Sequence, residues 1–328
     1  MVIANVEYRN MRIPEFQRLE GFMNFFQAIF LGLVQALTEY LPVSSSAHIR
    51  IIGDLMIGSD PGAAFTAIIQ LGTELAVILY YRRDIIRILG AWFGSLFGHD
   101  GKDWKSRLGA KNPDTQMGWF IIIGTMPILI AGLLFKNMIE TTLRNLWITV
   151  TVLAVFGVLL WIFDSRSKQV KTMNQMTVKD ALLFGVGQML ALIPGVSRSG
   201  GTITFGRAMG YTREAAVRVS FLMAIPAVFG AGILEAVSAV KDVTACDATK
   251  AADACAAIGG AAWPGWGPTI AATIVAFFVG YIVIIGFLKF VSTFSYKAFA
   301  IYRIGLAVVV AILLISGVLP AIDPSVAG

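Results

Sequence analysis

Gln35-Ala-Leu-Thr-Glu39-Tyr-Leu-Pro42-Val-Ser44-Ser45-Ser46-Ala-His48 gathers an amide, a carboxylate, three hydroxyls and one of only two histidines into a few turns of a very apolar chain. Gln35 and Glu39 are four apart, so on a helix they share one face. Pro42 cannot donate to a continuing helix, which predicts a break over residues 40–43. Ser44 or Ser45 is a good N-cap for a second helix running to Met56. The stretch therefore reads as helix, break, helix, with polar groups at the break. An ionisable group inside a bilayer costs about 2.5–3.5 kcal/mol or more, so a fold that keeps Glu39 there uses it.

A second stretch repeats the pattern: Gly185-Val-Gly-Gln188 and, further on, Pro194-Gly-Val-Ser197-Arg198-Ser199-Gly200-Gly201-Thr202. Gly32 and Gln35 match Gly185 and Gln188 at a constant offset, and a proline followed by serines comes next in both, with a one-residue slip. This is an internal repeat in which each copy carries half of a candidate site.

Composition sets the class. The chain has 328 residues, 57% hydrophobic and 14% charged, with a mean hydropathy of +0.75. That excludes an ordinary soluble domain and indicates an all-α polytopic membrane protein. The formal net charge of +6 is what basic cytoplasmic loops produce; it is not a nucleic-acid signature. Residues 1–21 carry scattered arginines and no signal-peptide core, and read as an interfacial tail. Cys246 and Cys255 share one polar loop, either as unrelated thiols or as a disulfide outside the cytoplasm.

Two halves follow. Repeat 1 covers 22–165, with a re-entrant hairpin over 22–57 and spans at 64–81, 117–135 and 146–163. Repeat 2 covers 178–320, with a hairpin over 178–210 and spans at 213–239, 268–290 and 300–319. Prolines 127 and 226 predict kinks. The basic loops follow spans one, three and five, which makes them cytoplasmic and puts both termini and the cysteine loop outside. Lys289, Lys297 and Arg303 flank the junction of the last two spans. The first hairpin then enters from the outer face and the second from the cytoplasm. This is an inverted-topology repeat, whose broken helices meet near the midplane.

The joined tips supply Gln35, Glu39, Ser44, Ser45, Ser46 and His48 from one side, and Ser197, Arg198, Ser199, Gly200 and Thr202 from the other. Helix N-termini, a glycine turn and hydroxyls suit an anion, and a guanidinium adds forked donors for phosphate. Glu39 and His48 add a base or a metal ligand, and a serine beside a base is the minimum for a nucleophile. Taken singly, the Gln35/Glu39 pair is compatible with a helix–helix hydrogen bond and the serines with caps. Their joint occurrence at matched repeat positions is what indicates phosphoryl chemistry on a lipid phosphate or a transported phosphate compound. Glu74, inside the first span, faces a cavity or pairs with a base that the sequence does not identify.

These motifs resemble those of the bacterial undecaprenyl pyrophosphate phosphatase family, also called the bacitracin-resistance protein family, over about residues 22–319. The resemblance implies hydrolysis of undecaprenyl diphosphate to the monophosphate carrier of peptidoglycan synthesis. It also implies a need for Mg²⁺ or Ca²⁺, a bacterial inner-membrane location and a site opening to the periplasmic side. By position, the family's acidic pair falls on Gln35 and Glu39, which would be the metal residues. Its catalytic serine falls on Ser45, its histidine on His48, its serine–arginine pair on Ser197 and Arg198, and its threonine on Thr202. Gln35 stands where glutamate is frequent, so Glu39 would do most of the carboxylate work. In the expected reaction Ser44, Ser46, Ser197, Arg198, Ser199, Gly200 and Thr202 hold the phosphates and Ser45 attacks, with His48 or Glu39 as base; direct attack by water fits the sequence equally. The expected partners are the lipid diphosphate and the membrane, with a homodimer left open and no nucleic acid. A transporter or flippase of a phosphorylated lipid is the alternative, because inverted repeats with broken helices are transporter architecture.

Overall fold

The computed structural model of the chain describes residues 23–109, 112–140, 142–249 and 263–322. The expected N-terminal tail and the Cys246–Cys255 bridge lie outside the described residues. Ten main helices are present among them: α1 (Phe25–Glu39), α2 (Ser45–Ile57), α3 (Ala63–Leu96), α4 (Pro113–Leu134), α5 (Leu146–Arg166), α6 (Val178–Met189), α7 (Arg198–Ala208), α8 (Arg213–Thr249), α9 (Trp266–Thr293) and α10 (Lys297–Ile315). Six of them, α3, α4, α5, α8, α9 and α10, are long and apolar enough to cross a membrane. In α4, α9 and α10 only 28% of the most apolar window is buried within the protein, so lipid must cover the rest.

The two broken elements form where the proline-serine signals put them. Asn24 caps α1 in a capping box with Gln27, and α1 stops at Glu39 before the Pro42 turn. Thr177 and Asp180 form the same motif at the start of α6, which gives way to a 3₁₀ turn over Leu190–Leu192 before α7 begins. Neither α1–α2 nor α6–α7 contains a helix long enough to span.

Two expected spans are too short. Span 64–81 was expected to end at the basic run Arg82, Arg83 and Arg87, but α3 continues to Leu96. No proline interrupts it, Asp84 takes Arg87 at 3.1 Å and Arg218 of α8 at 2.5 Å, and the helix stops only before Gly98, at φ +85°. Likewise α8 runs beyond 239 to Thr249, because neither glycine nor proline occurs between Gly232 and Gly259. Pro127 and Pro226 sit inside continuous helices.

Packing draws the broken elements into the bundle. α1 packs on α9 and α6 on α4, while α3 packs on α8 and on α9, and α5 on α10. The matched glycines do the same work at two crossings. A Cβ on Gly32 would lie 2.5 Å from the Ala272 carbonyl oxygen, and one on Gly185 would lie 2.5 Å from that of Gly124. Only glycine permits such backbone approach. The largest core cluster joins Tyr40, Val77, Tyr81, Phe184, Phe221 and Phe287, so the end of α1 is packed at the centre of the molecule.

One ion-pair node, which the sequence did not disclose, ties four helices at a single end of the bundle. Asp164 of α5 accepts from Arg207 Nε of α7 at 2.8 Å, from Arg213 Nε of α8 at 2.9 Å, and from the backbone N–H of Tyr296 before α10 at 3.0 Å. Arg207 is fully buried and also donates to the Tyr211 carbonyl. Removing the carboxylate strands a buried guanidinium. Asp164→Ala is therefore expected to cost about 3–5 kcal/mol, read as a large fall in the thermal midpoint of the detergent-solubilised protein; an unchanged midpoint would refute the node's role.

Candidate functional site

The site is built where the two tips touch. Ser44 (φ +74°) and Ser197 (φ +69°) are two of the three non-glycine residues with positive φ among those described. Such backbone costs about 1–3 kcal/mol and persists where surrounding structure enforces it. Each caps the helix it precedes: Ser44 Oγ accepts from Ala47 N at 3.4 Å, and Ser197 Oγ from Gly200 N at 3.1 Å. Each shares a hydrogen bond with the serine two residues on, Ser46 at 3.2 Å and Ser199 at 3.1 Å. The two turns are thus local copies of one another, and the residue opening each helix is Ser45 in one and Arg198 in the other.

Glu39 is the hub. Its Oε2 accepts from Ser45 Oγ at 2.6 Å and from Gln35 Nε2 at 2.9 Å. Its Oε1 accepts from Arg198 Nη2 at 2.8 Å and from Gln70 Nε2 at 3.3 Å. Arg198 Nη2 also reaches Glu74 Oε1 at 2.7 Å, which identifies the base that Glu74 pairs with. Glu74 is fully buried, and its second oxygen, like Gln35 Oε1 and Arg198 Nε, has no partner among the described residues.

His48 is placed elsewhere. Its Nδ1 lies 2.7 Å from the Ser44 carbonyl, which can only accept, so that nitrogen carries the proton. In the neutral ring Nε2 is then the acceptor, and it takes the Tyr302 hydroxyl at 2.6 Å. The lone pair of His48 is engaged by Tyr302, and the group that accepts from Ser45 is Glu39.

Three expected phosphate ligands are used internally. Thr202 is fully buried, donates to the carbonyls of Arg198 and Ser199, and meets Ser220 Oγ at 2.5 Å, so it joins α7 to α8. Ser199 Oγ donates to the carbonyls of Leu41 at 3.1 Å and Glu39 at 3.3 Å, stitching the second tip to the end of α1. The Gly200 N–H is spent on its own cap.

Arg303 corrects the sequence reading most sharply. Expected at a basic flank, it lies inside α10 and is fully buried. Its Nη1 donates to the carbonyls of Pro42 at 3.0 Å and Val196 at 2.9 Å, and its Nη2 to that of Gly195 at 2.7 Å. One guanidinium therefore braces both tips. Gly200 leaves room for it, since a Cβ there would lie 2.7 Å from Arg303 Nη1. Gln70, Tyr302 and Arg303 were missed because their partners are far away in sequence. The one available signal was that Arg303 stands beside an uninterrupted apolar run.

A cavity of about 420 Å³ reaches this corner. Ser46 and Gln70 line its inner part and Ile128, Ala227 and Val228 an apolar wall; Ser46 is exposed into it, and Ser45 is half-buried beside it. A partly buried serine–carboxylate–guanidinium cluster beside a cavity, inside a six-span bundle, defines an integral-membrane protein equipped for chemistry on an anionic, partly apolar ligand.

Comparison with known proteins names the group. The family model "Bacitracin resistance protein BacA" matches residues 28–309. An undecaprenyl-diphosphatase of Bifidobacterium adolescentis is 83% identical over 90% of this chain and 97% of its own length. Those of Bifidobacterium longum subsp. infantis and Paenarthrobacter aurescens are 70% and 51% identical, over 93% and 89% of this chain and 99% and 98% of their own lengths. The chain belongs to the bacitracin resistance protein BacA family.

Replacing the brace tests whether the tips depend on it. Arg303→Met leaves three tip carbonyls without their donor, and each charge-assisted bond is worth about 1.5–3 kcal/mol. A lowered thermal midpoint is expected, only partly recovered by Arg303→Lys, which keeps the charge but not the fork. Equal midpoints in all three proteins would exclude the bracing role.

Proposed function

We propose that this chain is a multi-pass membrane undecaprenyl-diphosphatase that releases the terminal phosphate of undecaprenyl diphosphate and leaves undecaprenyl phosphate. The observation that carries the reading is the 2.6 Å hydrogen bond from Ser45 Oγ to Glu39, beside a cavity that Ser46 and Gln70 line and that has an apolar wall. The names of the relatives agree with it.

Glu39 takes the proton of Ser45 as its oxygen bonds to the terminal phosphorus, and the bond from that phosphorus to the bridging oxygen breaks. Undecaprenyl phosphate departs with the bridging oxygen. The departing bridging oxygen carries away the proton that Glu39 took; Glu39 then takes a proton from an attacking water and passes it to Ser45 Oγ as the phosphoserine bond breaks, releasing inorganic phosphate. Arg198 orients Glu39 through the hydrogen bond from its Nη2, and Ser46 and Gln70 meet the headgroup in the cavity. The prenyl chain runs along Ile128, Ala227 and Val228 and out between spans.

The oxygens here suit a hard divalent cation, Mg²⁺ or Ca²⁺: Gln35 Oε1 is buried without a partner beside the Glu39 carboxylate. Among the described residues no three His, Cys, Asp or Glu side chains cluster as ligands, so water and substrate oxygens would complete its shell. Gln35 and Glu39 would hold such an ion, which would supply charge neutralisation for the phosphates.

The arrangement we favour is an inverted repeat, α1–α5 against α6–α10. Its support is the matched turns at Ser44 and Ser197, the matched glycine crossings, and the cross-packing of each hairpin on the middle span of the other half. The catalytic cavity opens outward. Its outer lining residues, Asp60, Ala67, Ile139 and Arg144, lie opposite the C-terminal half of α3, which bears Arg82, and the helix ends bearing Arg166 and Lys297, which belong in the cytoplasm. A homodimer would add nothing to the site, because both tips and the whole cluster come from one chain.

Purified protein is expected to release phosphate from undecaprenyl diphosphate and to lose that activity in EDTA. Ser45→Ala should lower kcat about 10²–10⁴-fold while leaving the protein folded; Glu39→Gln should lower kcat as much and the thermal midpoint as well, because it takes from Arg198 one of its two carboxylates. A folded wild type that releases no phosphate would overturn the assignment, and full activity in Ser45→Ala would replace the covalent route with direct attack by water.

A further inference from the structure

The cavity has a second polar wall, farther out than Ser46. Arg50 lies one helical turn beyond Ser46 on α2, on the same face. Its Nε donates to Asp54 Oδ2 at 2.8 Å and its Nη1 to Asp60 Oδ2 at 2.8 Å. Arg144, from the turn before α5, bonds the same Asp60 oxygen. Arg50, Asp60 and Arg144 all line the cavity; the Arg50 side chain is 10% exposed and that of Arg144 31%.

In the inner corner the single guanidinium of Arg198 is already shared by two carboxylates, Glu39 and Glu74, through one nitrogen, Nη2. Arg303 is buried against backbone carbonyls. Among the described residues lining the cavity, the only cationic side chains are Arg50 and Arg144. Guanidinium forks match phosphate oxygens, and a carboxylate oxygen shared by two of them is a counter-ion that an incoming phosphate can replace.

We propose that Arg50 and Arg144 form an anion subsite at the cavity mouth that takes a phosphate group, with Asp60 holding the two guanidiniums in place until it arrives. This rests on the diphosphatase reading, which supplies the ligand class. Arg50 is the fixed member, anchored by Asp54. Arg144, on a short turn and a third exposed, is the member that moves. Phosphate could reach the subsite from two sources: the headgroup of the arriving lipid diphosphate, or the inorganic phosphate leaving the inner corner.

The test uses the full chain in detergent, with wild type, Arg144→Gln and Arg144→Lys. Three quantities are compared: KM and kcat for undecaprenyl diphosphate, inhibition by inorganic phosphate, and calorimetric binding of methylenediphosphonate, which cannot be hydrolysed. Arg144→Gln should raise KM and weaken methylenediphosphonate binding about tenfold, with kcat within about twofold and part of the loss restored in Arg144→Lys. Weaker phosphate inhibition as well would assign the subsite to arriving headgroup and leaving phosphate alike; unchanged inhibition would assign it to the headgroup alone. Unchanged KM and unchanged analogue binding, or a fall in kcat alone, would overturn the subsite. Where Arg144→Gln does not fold, Asp60→Asn replaces it: loss of the counter-ion should tighten analogue binding, and unaltered or weaker binding would count against the proposal. A wild type that binds the analogue without releasing phosphate would instead overturn the diphosphatase reading and leave the subsite standing.

Discussion

The ion pair between Glu39 and Arg198 is the interaction on which the rest of this molecule depends. Each charge comes from the tip of a different broken helix pair, and neither could stay in an apolar bundle alone. A buried pair of this kind adds little net stability, because desolvation offsets most of the Coulombic gain. What it enforces is register. The tips must meet, in one relative position, or two charges are left stranded. Glu74 strengthens the requirement by giving Arg198 a second carboxylate from α3.

Arg303 solves the complementary problem. Breaking a helix inside a membrane exposes carbonyls that neither lipid nor helix can satisfy. The turns at Pro42 and at Gly195–Val196 would carry that penalty twice, and a single planar guanidinium removes most of it at both. Among the described residues the arginine has no carboxylate partner; carbonyl dipoles solvate it instead. The polar centre therefore has two layers. The acid–base cluster around Glu39 faces the cavity, and behind it a rigid frame of Arg303, Ser199 and Thr202 hydroxyl bonds holds the tips. That explains why several hydroxyls expected to bind phosphate are occupied. They are needed to keep irregular backbone in place beside Ser45, which stays half-open.

Two similar turns come to carry different chemistry. Ser44 and Ser197 share backbone conformation, capping and a serine neighbour two residues on. The helices they open begin with Ser45 in one case and Arg198 in the other, a hydroxyl opposite a cation. Four residues after the matched glutamines stand Glu39 in the first copy and Leu192 in the second. One scaffold supplies two anion-compatible turns, and side-chain divergence makes one acidic and nucleophilic and the other basic.

By itself the sequence determined what depends on local covalent geometry and on composition. Apolar content determined six spans, Pro42 with Ser44 and Pro194 with Ser197 determined the breaks, and four-residue spacing put Gln35 against Glu39. Helix ends were less legible, since Arg82 and Arg83 resemble a stop yet are carried on by a helix with no proline and a partner for Asp84. Only the tertiary structure decided who meets whom. It paired Glu74 with Arg198, set Ser45 on Glu39 while Tyr302 engaged His48, and turned Arg303 from a flank into the brace of both tips. Those contacts join residues up to 261 positions apart. Their energy lies in desolvation and hydrogen-bond geometry that exist only once the chain has closed, which is why no local pattern announces them.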